Sequence, residues 1–257
     1  MLVLTRSQVR DLVSMSDAIA LMKEAFGELS AGRTVSPLRT VIPLQDCEAD
    51  ALFMPAFVPS MDALGLKSVN VFRNNPSRGL PAIHALVMLV DTETGKPAAI
   101  MDGSYLTALR TGAVSGAAAD LLAREDSRTL TVIGAGAQGV TQIAAICAVR
   151  PIERVIAVDI NEAALERLRE GIRRDWPDLL ERVEISTNAP GAVRQADIVC
   201  TATTSRQPVF ADADLKPGTH VSGVGAYTPQ MQEIPAETVV RATVVVDAID
   251  AALEEAG

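Results

Sequence analysis

The stretch Thr129-Leu130-Thr131-Val132-Ile133-Gly134-Ala135-Gly136-Ala137-Gln138-Gly139-Val140 decides the fold. Its first five residues read as a buried parallel strand, and Val140 to Val149 reads as the helix that follows. The spacing Gly-x-Gly-x-x-Gly between them gives each glycine a separate task. Gly134 permits the tight turn, Gly136 lets the backbone approach a pyrophosphate, and Gly139 lets helix and strand pack closely. Free N–H groups and the dipole at the helix start favour phosphate there. Ala137 and Gln138 fall in this turn and are assigned to the cofactor with the glycines. A second strand, Arg154 to Val158, ends in Asp159, whose carboxylate can accept hydrogen bonds from both ribose hydroxyls of an adenosine. A 2′-phosphate would meet an anion there, so the cofactor expected is NAD(H), with NADP(H) left open. The bland alternative is a glycine-rich turn that binds nothing.

Outward from this turn, strands at 129–133, 154–158, 183–186, 197–201, 220–224 and 243–247 alternate with helical segments, the last helix covering 248–256. That is the pattern of a parallel sheet covered on both faces. Thr201, Ala202 and Val224, at the ends of two of these strands, are further cofactor-side candidates. Upstream the pattern differs. A short strand at 2–4 and two helices, with Thr5 and Ser16 as candidate N-caps, precede apolar runs at 41–44, 51–58, 65–71, 84–91 and 97–101. These read as strands of one sheet, with Thr94-Gly95 as a hairpin turn, followed by a small-residue helix from Ser104 to Ala123. The polar segment Arg124 to Arg128 marks the boundary. The fold class expected is α/β: an α+β domain over 1–125 and a Rossmann NAD(P)-binding domain over 126–257.

The chain has 257 residues, 23 basic and 32 acidic, for a net charge of −9. An acidic protein is a poor partner for nucleic acid or an anionic membrane. Neither a secretory leader nor an apolar run of transmembrane length is evident, so a cytoplasmic location and no membrane partner are expected. Cys47, Cys147 and Cys200 lie far apart in apolar surroundings and read as small buried side chains. With His84 and His220 the only histidines, a histidine-based metal site has little material, and metal-free chemistry is expected.

Three cations stand in apolar contexts. Lys67 interrupts Leu64-Gly65-Leu66-Lys67-Ser68-Val69, where an ammonium costs free energy unless it reaches water, an anion or a ligand. It is a site candidate, or a lysine on a solvated face. Arg39 and Arg110 carry planar forks suited to a carboxylate, or to structural ion pairs.

Lys67-Ser68-Val69-Asn70, Gly79-Leu80-Pro81, Asp91-Thr92-Glu93-Thr94-Gly95-Lys96-Pro97, Met101-Asp102-Gly103 and Arg110-Thr111-Gly112-Ala113 occur in one order ahead of the Gly134 turn. Over nearly its whole length the chain resembles the ornithine cyclodeaminase/mu-crystallin family, which also includes an alanine dehydrogenase and reductases of cyclic imines. The resemblance implies a homodimer whose N-terminal part supplies the dimer sheet and the substrate residues. It implies that Arg39, Lys67 and Arg110 hold a substrate carboxylate, that Lys67 also moves a proton, and that Thr111 contacts cofactor phosphate. In the cyclodeaminases the loop after the fifth Rossmann strand carries an aspartate; here Tyr227 stands at that place, and Leu52 replaces an acidic residue before Met54-Pro55. A phenol with a reference pKa of about 10 cannot replace that carboxylate at neutral pH. Met54 and Tyr227 are then residues of the substrate pocket. Members of the family continue past the last helix with a segment returning to the N-terminal domain, which these 257 residues lack.

The expected activity is NAD(P)H-dependent reduction of a small α-imino acid, such as 1-pyrroline-2-carboxylate to L-proline. Ornithine cyclisation with release of ammonia, alanine dehydrogenation and non-catalytic ligand binding are the rivals.

Overall fold

The computed structural model describes residues 1–255. Two compact units divide the chain. Unit 1 contains Met1–Ser14 and Lys23–Ala108, and unit 2 contains Met15–Met22 and Leu109–Gly257.

In unit 1, β1 (Leu2–Leu4) leads into α1 (Arg6–Leu12), where Gln8 Oε1 accepts from the Thr5 N–H at 2.9 Å. The helix α2 (Met15–Ser30) follows, shared between the units. Then come β2 (Thr40–Leu44), β3 (Ala49–Val58), β4 (Ala63–Phe72), β5 (Ile83–Val90) and β6 (Pro97–Asp102). The six strands form one sheet in the order β1-β6-β5-β4-β3-β2, antiparallel throughout except for the β1–β6 pair. Gly95, at φ +71°, supplies the left-handed residue of the expected β5–β6 turn. Many apolar side chains of this sheet stay exposed, among them Val41, Ile42, Ile83, Leu86 and Leu89.

The helix α3 (Gly103–Leu122) begins in unit 1 and continues into unit 2. Its small residues do what their size allows. A Cβ on Gly112 would lie 2.5 Å from the Thr141 carbonyl oxygen, and one on Gly116 would lie 2.7 Å from Ile19 Cδ1.

Unit 2 then continues with β7 (Thr129–Ile133), α4 (Ala137–Val149), β8 (Arg154–Val158), α5 (Glu162–Asp175), β9 (Val183–Ser186), α6 (Ala189–Val193), β10 (Ile198–Thr201), β11 (His220–Gly223), α7 (Ala236–Arg241) and α8 (Ile249–Glu255). Every strand pair is parallel, in the order β11-β10-β7-β8-β9. Numbered from β7, this is 5-4-1-2-3, the doubly wound order with its reversal between β7 and β10. The strands are continuous apolar runs because helices cover both faces, and Leu130, Val132, Val155, Ile198 and Cys200 are fully buried. α4, apolar on nearly all sides, lies within that core. α5 buries only Leu165, Leu168, Gly171 and Ile172; Asn161 caps it, accepting from the N–H groups of Ala163 and Ala164. At the C-terminal end of α3, the buried Arg150 guanidinium donates to the carbonyls of Asp120, Ala123 and Arg124 at 2.9, 2.9 and 3.0 Å. Carbonyls that the helix itself cannot satisfy find their partner there.

Three expectations are corrected. Thr243–Asp247 forms no strand, because the run pairs with none of the described strands and its valines are largely exposed. Ser16 sits inside the first turn of α2, which starts at Met15, and so does not precede the helix as a cap. Cys47 is exposed in a short 3-10 turn between β2 and β3, whereas Cys200 is buried and Cys147 half-buried. Burial pushes the thiol of Cys200 up to about 12 and that of Cys147 up to about 11, so both remain protonated at neutral pH. Residue 256, the last of the expected final helix, lies outside the described residues.

Candidate active site

The three glycines of the turn meet three different surroundings. Gly134 adopts φ +109°, and a Cβ on it would lie 2.4 Å from the Ala202 carbonyl oxygen. A Cβ on Gly139 would lie 2.2 Å from the Gly134 carbonyl oxygen. Around Gly136 a Cβ would meet nothing within 4 Å. Two glycines are therefore demanded by the protein's own packing, while the third opens onto free space at the start of α4. Ala137 and Gln138 form the first turn of that helix, where backbone N–H groups lack helical partners. This donor set suits a pyrophosphate.

Asp159 stands at the end of β8 and is half-buried. Its Oδ2 accepts from the Ala135 N–H at 2.8 Å, and its Oδ1 accepts from the Asn161 N–H at 2.9 Å. The carboxylate is thereby fixed to the glycine turn, and each oxygen keeps a lone pair for a further donor. Ile160 beside it is 98% exposed. The residues fit a dinucleotide whose adenosine ribose reaches Asp159 and whose phosphates lie at Gly136.

Beyond β10 and β11 the backbone is tightly arranged. Ala202 N–H donates to the Ile133 carbonyl at 2.8 Å, and Val224 N–H donates to the Thr201 carbonyl at 2.9 Å. Thr201 is fully buried, and its hydroxyl donates to Glu233 at 3.0 Å. Tyr227, in the loop after β11, is half exposed. Glu233 did not stand out in the sequence as a site residue. Its signal was a lone acid in Met231-Gln232-Glu233-Ile234, next to an isoleucine and two residues after a methionine.

Also in unit 2, Arg110 and Thr111 immediately precede Gly112, whose Cα packs on Thr141, and the Thr111 carbonyl accepts from Gln142 Nε2 of α4 at 3.5 Å. The Arg110 side chain is exposed, yet desolvation by surrounding protein lowers its pKa while the charge of Asp247 acts in the opposite sense. The guanidinium stays protonated throughout the physiological range all the same.

In unit 1, register brings Lys67 and Met54 together. Lys67 of β4 is half-buried and pairs with Met54 of β3 on one side and Val87 of β5 on the other. Directly opposed residues of an antiparallel pair project to the same face. Met54, Lys67 and Val87 thus form one line across β3, β4 and β5. The β2–β3 register ends at Thr40 opposite Phe53; Arg39 lies just before it, outside the ladder, and the next bridge, Val35 with Phe57, is out of step with that register by one residue. Leu52, two residues before Met54, projects to the same face and supplies no charge.

The ornithine cyclodeaminase/mu-crystallin family matches residues 1–257. The chain belongs to that family. Within it, a Delta(1)-pyrroline-2-carboxylate reductase from Bacillus thuringiensis subspecies konkukian is 40% identical over 258 aligned residues, covering 100% of this chain and 78% of the relative. The Thermococcus litoralis Delta(1)-pyrroline-2-carboxylate reductase, solved in complex with NADH and L-proline, superposes with a TM-score of 0.91 at 37% identity, covering 100% of this chain and 78% of that one. An archaeal alanine dehydrogenase, solved as a dimer with bound NAD, superposes with a TM-score of 0.88 at 35% identity, covering 99% and 77% of the two chains. This member of the ornithine cyclodeaminase/mu-crystallin family therefore has the expected α/β fold, a Rossmann unit with a second α+β unit. Among the described residues, no helix is long and apolar enough to cross a membrane, and no cluster of three or more His, Cys, Asp or Glu side chains is set to hold a metal ion.

Proposed function

We propose that the chain is an NAD(P)H-dependent reductase of a small α-imino acid, a cyclic ketimine such as 1-pyrroline-2-carboxylate being reduced to L-proline. The observation that carries this reading is the 40% identity, along all of this chain, to a Delta(1)-pyrroline-2-carboxylate reductase. Lys67, Arg39 and Arg110 are present in it, while Tyr227 and Leu52 stand where a cyclodeaminase would place carboxylates.

When bound, the dinucleotide supplies the hydride. Gly134, Gly136, Ala137, Gln138 and Gly139 would hold its phosphates together with Thr111; Asp159 would select the unphosphorylated ribose, and Thr201, Ala202 and Val224 would form the remaining wall. The other tasks belong to this chain's side chains. Arg39 and Arg110 hold the substrate carboxylate with planar forks, which orients the C=N carbon and supplies much of the rate. Lys67 keeps a proton at the imine nitrogen, making the adjacent carbon a better hydride acceptor, a contribution of about 10² to 10⁴ in rate for a well-placed acid. Met54 and Tyr227 shape the pocket. In this division residues 1–125 serve substrate binding and dimerisation, and residues 126–257 serve the dinucleotide. The exposed apolar side chains of β2 and β5 support a homodimer, the state in which the archaeal relative was solved.

The test is consumption of NADH, and separately of NADPH, with 1-pyrroline-2-carboxylate, run beside pyruvate plus ammonia and beside L-ornithine. Oxidation with the cyclic imine in excess of the others is expected. Activity confined to pyruvate with ammonia would move the protein to the alanine dehydrogenase branch, and ammonia released from L-ornithine would make it a cyclodeaminase.

A further inference from the structure

Glu233 is 2% exposed, a carboxylate shut inside unit 2. A buried acid of this kind is tolerated only when donors replace the lost water. Here three do. Its Oε1 accepts from the Thr203 N–H at 2.6 Å, and its Oε2 accepts from the Gly225 N–H at 2.6 Å and from the Thr201 hydroxyl at 3.0 Å. Thr201 ends β10, Thr203 lies in the loop leaving it, and Gly225 lies in the loop leaving β11. The loops also touch directly: a Cβ on Gly225 would lie 2.1 Å from the Thr203 carbonyl oxygen and 2.7 Å from Glu233 Cδ. The neighbouring backbone adds two ties, from the Gln232 N–H to the Ser205 carbonyl at 3.1 Å and from the Val209 N–H to the Glu233 carbonyl at 2.9 Å.

We infer that Glu233 is a positioning residue, a buried anion that clamps the exits of β10 and β11 together and thereby fixes the half of the dinucleotide crevice opposite Asp159. The inference rests on the cofactor reading above, and follows from strand order. In a doubly wound sheet the ligand lies across the reversal, here between β7 and β10, with the adenosine over β8. The exits of β10 and β11 then face the nicotinamide half. No side chain but a carboxylate satisfies all three donors at that length. An amide offers a single acceptor oxygen, so Glu233→Gln sets its NH2 against the N–H of either Thr203 or Gly225 while keeping the shape of the side chain.

The experiment compares wild type and Glu233→Gln by calorimetric titration with NADH and with ADP-ribose, which lacks the nicotinamide. The expected result is NADH binding weakened about tenfold, with ADP-ribose binding changed by less than about twofold, as loss of one charge-assisted bond near one half of the ligand implies. Unchanged affinity for both ligands overturns the inference, as does equal weakening of both, which would mean general loosening of the unit. Wild-type protein that binds neither ligand overturns the cofactor reading and the inference with it. Hydrogen exchange on the ligand-free wild type tests the clamp without any variant. The Thr203 and Gly225 amides should exchange far more slowly than other loop amides, and exchange at ordinary loop rates would contradict the clamp.

Discussion

The five-stranded sheet of unit 2 is buried on both faces, whereas the six-stranded sheet of unit 1 leaves apolar side chains of β2 and β5 in solvent and carries a lysine at mid-strand. The first is a self-sufficient core whose surface features sit at strand ends, as a doubly wound fold requires. The second builds its feature in the middle of its strands, where register alone decides which side chains meet. In the proposed function, binding therefore draws mainly on backbone at the first sheet, with Asp159 beside it, and on side chains at the second. Substitutions should divide accordingly, with glycine changes in unit 2 affecting fold or cofactor and side-chain changes in unit 1 affecting turnover.

The largest separation is expected for Lys67→Met. Turnover of the cyclic imine should fall by roughly 100-fold or more, the scale of a lost proton donor, while the NADH dissociation constant stays near that of wild type. Steady-state kinetics beside fluorescence titration measure both, and undiminished turnover would remove Lys67 from the chemistry.

Next are two glycines three residues apart. Gly139→Ala puts a methyl group 2.2 Å from the Gly134 carbonyl and should lower stability by about 1–3 kcal/mol, the usual penalty for overpacking. Gly136→Ala meets no protein atom within 4 Å, so thermal unfolding should be nearly unchanged while NADH binding weakens by about tenfold. Equal effects of the two changes on melting would show that the space at Gly136 is not the phosphate position.

Asp159→Ser should move preference from NADH toward NADPH by about tenfold, with a stability loss of about 1 kcal/mol because Ala135 loses its acceptor. Parallel titrations with the two dinucleotides measure the shift. A variant that keeps the wild-type ratio would deny Asp159 its role in selection.

A smaller effect concerns the floor of unit 2. Burial raises the pKa of Asp197, but the N–H groups of Arg128 and Thr129 and the Lys216 ammonium outweigh it and bring the carboxyl down to about 2. With the folded value below the unfolded one, this stabilisation is complete above the ordinary carboxylate range and is lost as pH falls from about 4 toward 2. Asp197→Asn should therefore lower the unfolding free energy at pH 7 by on the order of 1–2 kcal/mol after solvent screening. In urea melts the gap from wild type should narrow below pH 4, and a gap independent of pH would assign the effect to packing.

The legible parts of the molecule were those whose signal is local. Thr129–Ile133 and the glycines after it announce strand, turn and helix within a dozen residues. The valines near 244 carry the same β-branched signal, yet a strand exists only with a neighbour to pair with, and composition cannot show one. Ser16 resembles a cap because serine suits that position, but the backbone turns helical one residue earlier. The line Met54, Lys67, Val87 depends on two registers set by distant turns, so only Lys67 could be seen, as a lone cation. Glu233 was the least visible, since its partners lie 8 to 32 residues away and a side-chain clamp leaves no periodic trace.

The decisive measurement follows deuterium from NADH labelled at the transferred position of C4 into the product formed from 1-pyrroline-2-carboxylate, by mass spectrometry and NMR. Proline carrying one deuterium at Cα is the expected result, because the proposed mechanism sends the hydride to the imine carbon and a proton to nitrogen. Unlabelled proline, or binding of both compounds with no proline formed, would contradict the assignment of this chain as an imino-acid reductase.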